Sequence, residues 1–169
     1  ASSIGGSLDD SANGIALDSA GKIYVTGSFQ GTLQVPSTLT SAAGSVDAFV
    51  IKFDSNTLPI WAKALGGSGA DAGKGIATDG TRVYTTGTFQ GTADFDPGAG
   101  SQSLTSSGGD DAYISALDAA TGAFAWATKL GGAANDAGLA IAADGTNVYT
   151  TGFYTGSVAA PFNLSSVSG

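Results

Sequence analysis

One stretch of about twenty residues occurs three times in this 169-residue chain. Residues 71–91 read DAGKGIATDGTRVYTTGTFQG, and residues 136–156 read DAGLAIAADGTNVYTTGFYTG. Residues 10–31 hold a third and more divergent copy. Tyr24, Tyr84 and Tyr149 mark equivalent positions, so the period is 60 to 65 residues. A period of this length indicates a repeat architecture in which each copy is one supersecondary unit.

Each copy begins a unit of four short segments rich in β-branched and aromatic residues, which predicts strands. In the first repeat the predicted strands are residues 14–18, 22–29, 47–54 and 60–65. In the second they are residues 75–78, 82–89, 112–117 and 124–130. The third supplies residues 140–143 and 147–154, then a connection with Pro161 and Leu164. The Ser- and Thr-rich connections, such as residues 31–45, are expected to be solvated loops.

The predicted strands carry apolar or small residues on both faces, so each sheet needs a neighbour on either side. Radial stacking of four-stranded sheets supplies such neighbours, and small residues such as Gly14 and Gly75 suit crowded innermost strands. We therefore predict an all-β fold, a partial β-propeller built of four-stranded antiparallel blades, with about two and a half repeats. The single segment 1–169 divides into repeats at approximately 5–65, 66–130 and an incomplete 131–169. An incomplete blade has an open edge.

Several motifs recur in register and resemble the SBBP-type β-propeller repeat. They are DDxxxGIAxDxxGxxYxTGxFxG, the linker GTADFDPGAGSQSLTSSGG, the strands DAF and DAY, and the closing WAxxLGG. The resemblance covers essentially the whole chain. It implies a multi-bladed propeller in large secreted or cell-surface bacterial proteins, especially of the Bacteroidetes, and it implies no shared catalytic residues.

A weaker likeness to quinoprotein-type propeller blades covers residues 117–132, where Asp118, Thr121, Gly122 and Trp126 match the tryptophan-docking motif. The dehydrogenases of that family need a quinone, calcium ligands and catalytic groups that include Glu. This chain has no Glu. The likeness therefore supports a propeller and argues against that enzyme.

The composition removes most catalytic chemistry. His, Cys and Met are absent, so there is no His general base, no thiolate nucleophile and no His or Cys metal ligand. The net charge of −8, with only six Lys and Arg, argues against nucleic-acid binding. No apolar run approaches 18 residues, so membrane insertion is not expected. The lack of any Met predicts a processed or excised piece of a longer chain.

The repeated aspartates are predicted to be structural. Asp18, Asp79 and Asp144 each precede a strand-to-strand turn, where a short carboxylate accepts backbone N–H bonds. The others are Asp10, Asp71 and Asp136 before the first strand, Asp47 and Asp111 at the start of the third, and Asp54 and Asp118 at its end. For all of these we predict turn and strand-end roles near the blade ends.

The aromatic residues are also repeated. Trp61 and Trp126 occupy the same repeat position, which favours packing over service as sugar-stacking platforms. The three equivalent tyrosines are likewise assigned to the blade structure. Phe29, Phe89 and Phe153 are assigned to one repeated core position, with Tyr154 replacing the Gln of the earlier copies.

The linker ADFDPGAG holds two aspartates that are not repeated, Asp94 and Asp96. Asp-x-Asp followed by glycines could give oxygen ligands to a hard cation such as calcium, with Asp110 as the nearest helper. The alternative is a polar turn in which Pro97 fixes φ. No other cofactor is expected.

Together these features predict a non-catalytic propeller module of a larger protein, extracellular or at the cell surface, with a structural, adhesive or protein- or glycan-binding role. The expected partners are further blades of the same parent chain or copies of this chain. Two alternatives stay open. The segment could supply blades of a glycan-active or quinoprotein-like enzyme whose catalytic residues lie elsewhere, or it could be a partial propeller that assembles with itself.

Overall fold

The computed structural model describes residues 4–158 and 164–165, and almost every element in it is a β-strand. The first repeat contains β1 Asp10–Leu17, β2 Ile23–Gln30, β3 Thr32–Val35, β4 Ser37–Thr40, a short 3-10 helix Ala42–Gly44, β5 Val46–Phe53 and β6 Pro59–Gly67. The second contains β7 Ala72–Thr78, β8 Arg82–Phe89, β9 Thr92–Asp94, β10 Ser103–Thr105, β11 Asp111–Asp118 and β12 Phe124–Leu130. The third contains β13 Ala137–Ala143, β14 Val148–Phe153, β15 Ser157–Val158 and β16 Leu164–Ser165. Pro161 lies outside the described residues.

The predicted blades are present. Strands β1, β2, β5 and β6 are adjacent in that order and form the first blade, and β7, β8, β11 and β12 form the second in the same order. All of these neighbours pair antiparallel. The hairpin of β13 and β14 is the third, incomplete blade. The all-β prediction and the partial propeller are thus confirmed.

The first strands of the three blades lie side by side, with β7 between β1 and β13. Their close approach depends on glycine. A Cβ on Gly14 would lie 3.2 Å from the Ile76 side chain, and one on Gly75 would lie 2.9 Å from Cα of Ala140. The predicted need for small residues on the innermost strands is confirmed.

Each innermost strand also contains a β-bulge at the same place. The register shifts between Ala12 and Gly14 in β1, and the same shift occurs in β7 and β13. The extra residues are Asn13, Lys74 and Leu139, and all three are exposed. A bulge leaves one residue outside the ladder, so its side chain is not committed to the sheet faces.

The main core lies between the first and second blades. It includes Tyr24, Val50, Trp61 and Leu65 from the first blade, and Val83, Phe89, Tyr113 and Leu117 from the second. A second cluster covers the opposite face of the first blade, where Phe29, Phe49 and Ile51 pack with Leu33, Val35 and Leu39. The first sheet is therefore buried on both faces, as its two-sided apolar pattern requires.

The connections predicted to be loops are hairpins instead. Strand β3 pairs with β4, and β9 pairs with β10. Strand β9 also pairs with the end of β6, with Gly66 opposite Asp94 and Gly67 opposite Ala93. Polar and apolar residues alternate in TLQV, a pattern that indicates a strand with one buried face. The structure buries Leu33 and Val35 and exposes Thr32 and Gln34.

The position predicted for Phe153 is wrong by one residue. Ala137 pairs with Phe153 as Ala72 pairs with Thr88, so Phe153 stands where the second blade has Thr88. Successive strand residues point to opposite faces, so the shift takes Phe153 off the core face and leaves it 53% exposed. Tyr154, the next residue, occupies the position of Phe89.

Equivalent residues differ in burial according to their neighbours. Ile76 packs against the first blade and is 7% exposed, whereas Ile15, its counterpart on β1, is 64% exposed. Tyr24 is fully buried, whereas Tyr149 of the incomplete blade is 55% exposed. Burial in this chain is thus supplied by the adjacent blade and the later strands, as expected for stacked repeats.

The contact between β6 and β9 predicts the effect of a single methyl group. A Cβ on Gly67 would overlap the carbonyl oxygen of Thr92, a backbone atom that cannot swing aside. We expect Gly67→Ala to lower the free energy of unfolding by about 2 kcal/mol or more, measured by urea denaturation. As the control, a Cβ on Gly5 would meet only an ordinary contact at 3.6 Å, so Gly5→Ala should change the free energy of unfolding by less than about 0.5 kcal/mol. Equal losses in the two variants would contradict the close approach of β6 and β9 at Gly67.

Candidate functional site

The turn between the first two strands of each blade is built on an aspartate and a tyrosine. In the first blade Asp18 Oδ1 accepts the N–H groups of Ala20 and Lys22, and Oδ2 accepts the Tyr24 hydroxyl at 3.1 Å. The second and third blades repeat this arrangement with Asp79 and Tyr84 at 2.8 Å and with Asp144 and Tyr149 at 3.0 Å. The structure thus brings together each Asp and Tyr that the repeats singled out.

These bonds hold the turn carboxylates ionised. Hydrogen bonds from the Asn147 and Thr146 N–H groups and from the Tyr149 hydroxyl lower the pKa of Asp144. Partial desolvation raises the pKa of Asp79, but the bonds from Arg82, Thr81 and Tyr84 outweigh it and lower the pKa to about 2. A carboxylate committed in this way is a structural acceptor.

The first tryptophan joins two blades. Trp61 lies 6.3 Å from the Tyr24 ring, and its indole N–H donates to the carbonyl oxygen of Ala119 in the second blade at 3.3 Å. Lys52 Nζ donates to the same oxygen at 2.7 Å and stands 5.3 Å from the centre of the Tyr24 ring. Since Lys52 and Trp61 are both buried, this carbonyl group fixes the second blade against the first.

The second tryptophan repeats only the contact within its blade. Trp126 lies 6.2 Å from the Tyr84 ring, as Trp61 does from Tyr24, but it is partly exposed. The described residues contain no third-blade counterpart of the turn that holds Ala119. The sequence equivalence of the two tryptophans therefore holds for their place in the blade but not for their burial.

This difference gives a matched pair of variants. Trp61→Ala removes a buried ring and a bond between blades, so we expect a loss of about 3–5 kcal/mol in the free energy of unfolding. Trp126→Ala removes a partly exposed ring and should cost roughly half as much or less. Denaturant titrations followed by circular dichroism would measure both losses, and an equal cost would contradict the role given to Trp61.

Each junction between blades is held by a second set of aspartates. Asp71 Oδ2 accepts the N–H of Gly67 at 2.8 Å and its Oδ1 accepts the N–H of Gln90 at 3.2 Å, so it links the end of one blade to the next. Asp136 repeats this with Gly132 at 2.7 Å and Thr155 at 2.7 Å. Asp10 accepts the N–H of Gly6.

A partner carboxylate lies beside Asp71 and beside Asp136. Asp47 is bound by the N–H of Ala42 at 2.8 Å and the hydroxyl of Ser45 at 2.7 Å. The position of a Cβ on Gly66 would be 2.8 Å from Asp47 Cγ and 2.7 Å from Asp71 Oδ2, so both carboxyl groups border one glycine. In the next junction, Asp111 borders Gly131 in the same way. Only glycine fits between them.

Burial dominates the titration of the carboxyl groups of Asp71 and Asp47. Asp71 is 2% exposed, and desolvation raises its pKa to about 6. The bonds from Gly67 and Gln90 oppose this change, and the charges of Asp47 and Asp110 add to it. Burial also raises the pKa of Asp47. The sequence predicted strand-end roles with local donors for these residues, whereas Asp71 and Asp136 bind groups across the blade junction. Both aspartates lie four residues after a Gly-Gly pair, and this repeated spacing could have indicated the junction role.

The linker aspartates form turns. Asp94 Oδ1 accepts the N–H groups of Asp96 at 2.9 Å and Gln102 at 2.8 Å, and Asp96 Oδ1 accepts that of Gly98 at 2.8 Å. Asp110 instead accepts the side-chain amide of Gln90 at 2.6 Å. Within the described part of the chain, no group of three or more acidic residues is placed to hold a metal ion. The calcium site stays a prediction, and the turn alternative has these bonds in its support.

Comparison with known families bears on the same repeat. A family model described as SBBP, a β-propeller repeat, matches residues 4–28, which comprise the segment before β1, all of β1 and most of β2. Residues 4–28 are therefore similar to the SBBP-type β-propeller repeat. The SBBP motif residues recur in the second and third blades, where they form the same strands and Asp–Tyr turns. No curated protein matches the sequence significantly.

In the described portion of the chain, no helix has the length and apolar character needed to cross a membrane.

The buried junction predicts how stability varies with pH. Because the pKa of Asp71 is raised in the folded state, its contribution to stability is present at low pH and is lost as the pH rises through about 6. The free energy of unfolding should therefore be larger near about pH 5 than near about pH 7.5. The lowered pKa values of the turn aspartates cause losses only at more acidic pH.

Variants separate this effect from general charge. In Asp71→Asn the side chain does not titrate, so the difference between the two pH values should shrink. Asp79→Asn removes a carboxylate whose pKa is about 2 and should leave that difference unchanged. Urea denaturation at both pH values would measure the free energy of unfolding. An equal difference between the two pH values in the wild type and in Asp71→Asn would contradict the prediction.

Proposed function

We propose that this chain is a non-catalytic propeller module of a larger secreted or cell-surface protein, in which stacked blades present hairpin tips to a protein or glycan partner. The observation that carries the proposal is how the aspartates are used. They are the only acidic residue type in the chain, and the repeated ones accept main-chain hydrogen bonds within turns or across blade junctions. Groups bound in this way serve the scaffold rather than a reaction.

The hairpins have a construction that suits presentation. Their bases are anchored by buried side chains, Leu33 and Leu39 in the first blade and Ala93 and Phe95 in the second. Their tips, residues 36–38 and 98–101, are exposed. An exposed tip on a rigid base is the usual arrangement for binding loops on a scaffold.

Charge and composition favour particular surroundings and partners. With a net charge of −8, the chain would attract basic or neutral surfaces and repel acidic ones. The absence of Cys and Met removes the side chains most readily oxidised, which suits an extracellular setting. These features support the module at a cell surface.

Binding and turnover assays on defined partners test this proposal. The purified chain would be applied to an array of neutral and acidic glycans and to purified basic and acidic extracellular proteins, and soluble glycans would be assayed for cleavage. We expect retention by neutral or basic partners, weakening with salt for the basic ones, and no cleavage. Cleavage by the chain, or no retention on any partner, would contradict the proposal.

A matched pair of tip variants locates the contact. Ala99→Arg places a long cation on the exposed tip of the second hairpin and should weaken retention. Ala20→Arg makes the same change at an exposed turn between β1 and β2 and should leave retention unchanged. Equal loss in both variants would indicate a general charge effect and would contradict binding by the hairpin tips.

A further inference from the structure

The outer edge of β14 lacks the strand that the other blades have there. In the first blade β2 pairs with β1 on one side and β5 on the other, and in the second β8 pairs with β7 and β11. Within residues 4–158 and 164–165, β14 pairs with β13 alone. The opposite edge therefore offers its backbone groups to an added strand.

A cavity of about 430 Å³ lies beside this edge. Ala112, Ile114 and Leu130 of the second blade form one side, and Val148, Thr150 and Gly152 of β14 form the other. Their counterparts one blade earlier are Ala48, Val50 and Leu65, facing Val83, Thr85 and Gly87. Between those counterparts the space is filled by Tyr113 of β11, which is fully buried. The cavity is thus the place where a third strand would insert an aromatic ring.

The register of the complete blades specifies the missing strand. Gly27 faces Phe49, and Gly87 faces Tyr113, whose ring carbon would be 3.0 Å from a Cβ on that glycine. An aromatic residue therefore belongs opposite Gly152. Thr85 shares a 2.7 Å hydrogen bond with Ser115, so a hydroxyl belongs opposite Thr150, the counterpart of Thr85.

We propose that the open edge of β14 and the adjoining cavity bind an antiparallel strand from another SBBP repeat, with the pattern Asp-Ala-aromatic-β-branched-Ser. The proposal rests on the proposed function as a propeller module and names the partner of its incomplete blade. Main-chain bonds along β14 would give the affinity, and the ring in the cavity would give the specificity, as in other cases of strand addition. The exposed Tyr149 and Phe153 would gain a covering strand beside them.

Peptide binding to the 169-residue chain tests the partner's chemistry. The probe is a fluorescein-labelled peptide of residues 109–118, GDDAYISALD, followed by fluorescence polarisation. Its Tyr113→Ala form should bind roughly 30-fold more weakly, because the ring supplies the buried anchor. A scrambled peptide of the same composition should not bind. Equal binding of all three peptides would overturn the proposal.

Chain variants test the location. Ile114→Phe enlarges a side chain into the cavity and should weaken binding at least about tenfold. Ile60→Phe makes the same change on β6 of the first blade, away from the cavity, and should leave binding unchanged. Circular dichroism would verify that both variants fold. Binding unchanged by Ile114→Phe, with its fold intact, would overturn the proposal.

A double-mutant cycle covers the case in which Ile114→Phe does not fold. Thr150→Val removes the hydroxyl that would bind the peptide's Ser115, so it should weaken the wild-type peptide but not the Ser115→Ala peptide. Additive effects would place the strand elsewhere and overturn the proposal. Absence of any peptide binding would also overturn it, while retention by the hairpin tips, measured separately, would still support the module.

Discussion

Burial of each sheet by its neighbour is the interaction on which this structure depends. Ile76 is covered because the first blade lies beside it, and its counterpart Ile15 is exposed because no described element does. Apolar burial contributes about 25 cal/mol per Å², so a face left open gives up a large part of the stabilisation available to the blade. The folding free energy of such a chain belongs to the contacts between repeats as much as to the repeats themselves.

Glycine and aspartate together make those contacts possible. Glycines such as Gly66 and Gly67 let one blade's backbone reach the next without a Cβ between them. The N–H groups exposed by this approach need acceptors in a place that water does not reach, and Asp71 and Asp136 supply them. Since the Asp71 carboxylate is desolvated, the same arrangement that satisfies the backbone also raises the pKa of Asp71.

The features that could be predicted from the sequence were those that recur in more than one repeat. The four-stranded antiparallel blades, the turns built on aspartate and the small residues of β1 and β7 all followed from comparing copies of one motif, whereas the bonds from the tyrosine hydroxyls to those aspartates did not. The linker hairpins did not, because they pair with the preceding blade and short alternating runs such as TLQV resemble loops when read alone. The misplaced Phe153 shows a related limit: one residue of shift in a strand exchanges its two faces, and the GFYTG copy differs enough from GTFQG to hide it.

The candidate site was predicted only in part, for a physical reason. Asp18, Asp79 and Asp144 bind groups within four residues or so, which local sequence can indicate. Asp71 acts through Gln90, nineteen residues away, and Lys52 acts through Ala119, sixty-seven residues away. Such contacts depend on how whole sheets stack, and no short motif encodes that arrangement.

The bulge in each innermost strand places one side chain outside the strand ladder. Its extra residue is Asn13, Lys74 or Leu139, and it is exposed in all three blades while the flanking residues keep the ladder. One position per blade is therefore an amide, a cation or a hydrocarbon on the same backbone, and in the first blade the Asn13 side chain also donates to the carbonyl oxygen of Gly73 in the second blade at 2.8 Å. Side chains of different chemistry can therefore occupy this position from copy to copy while the strands and their pairing stay the same.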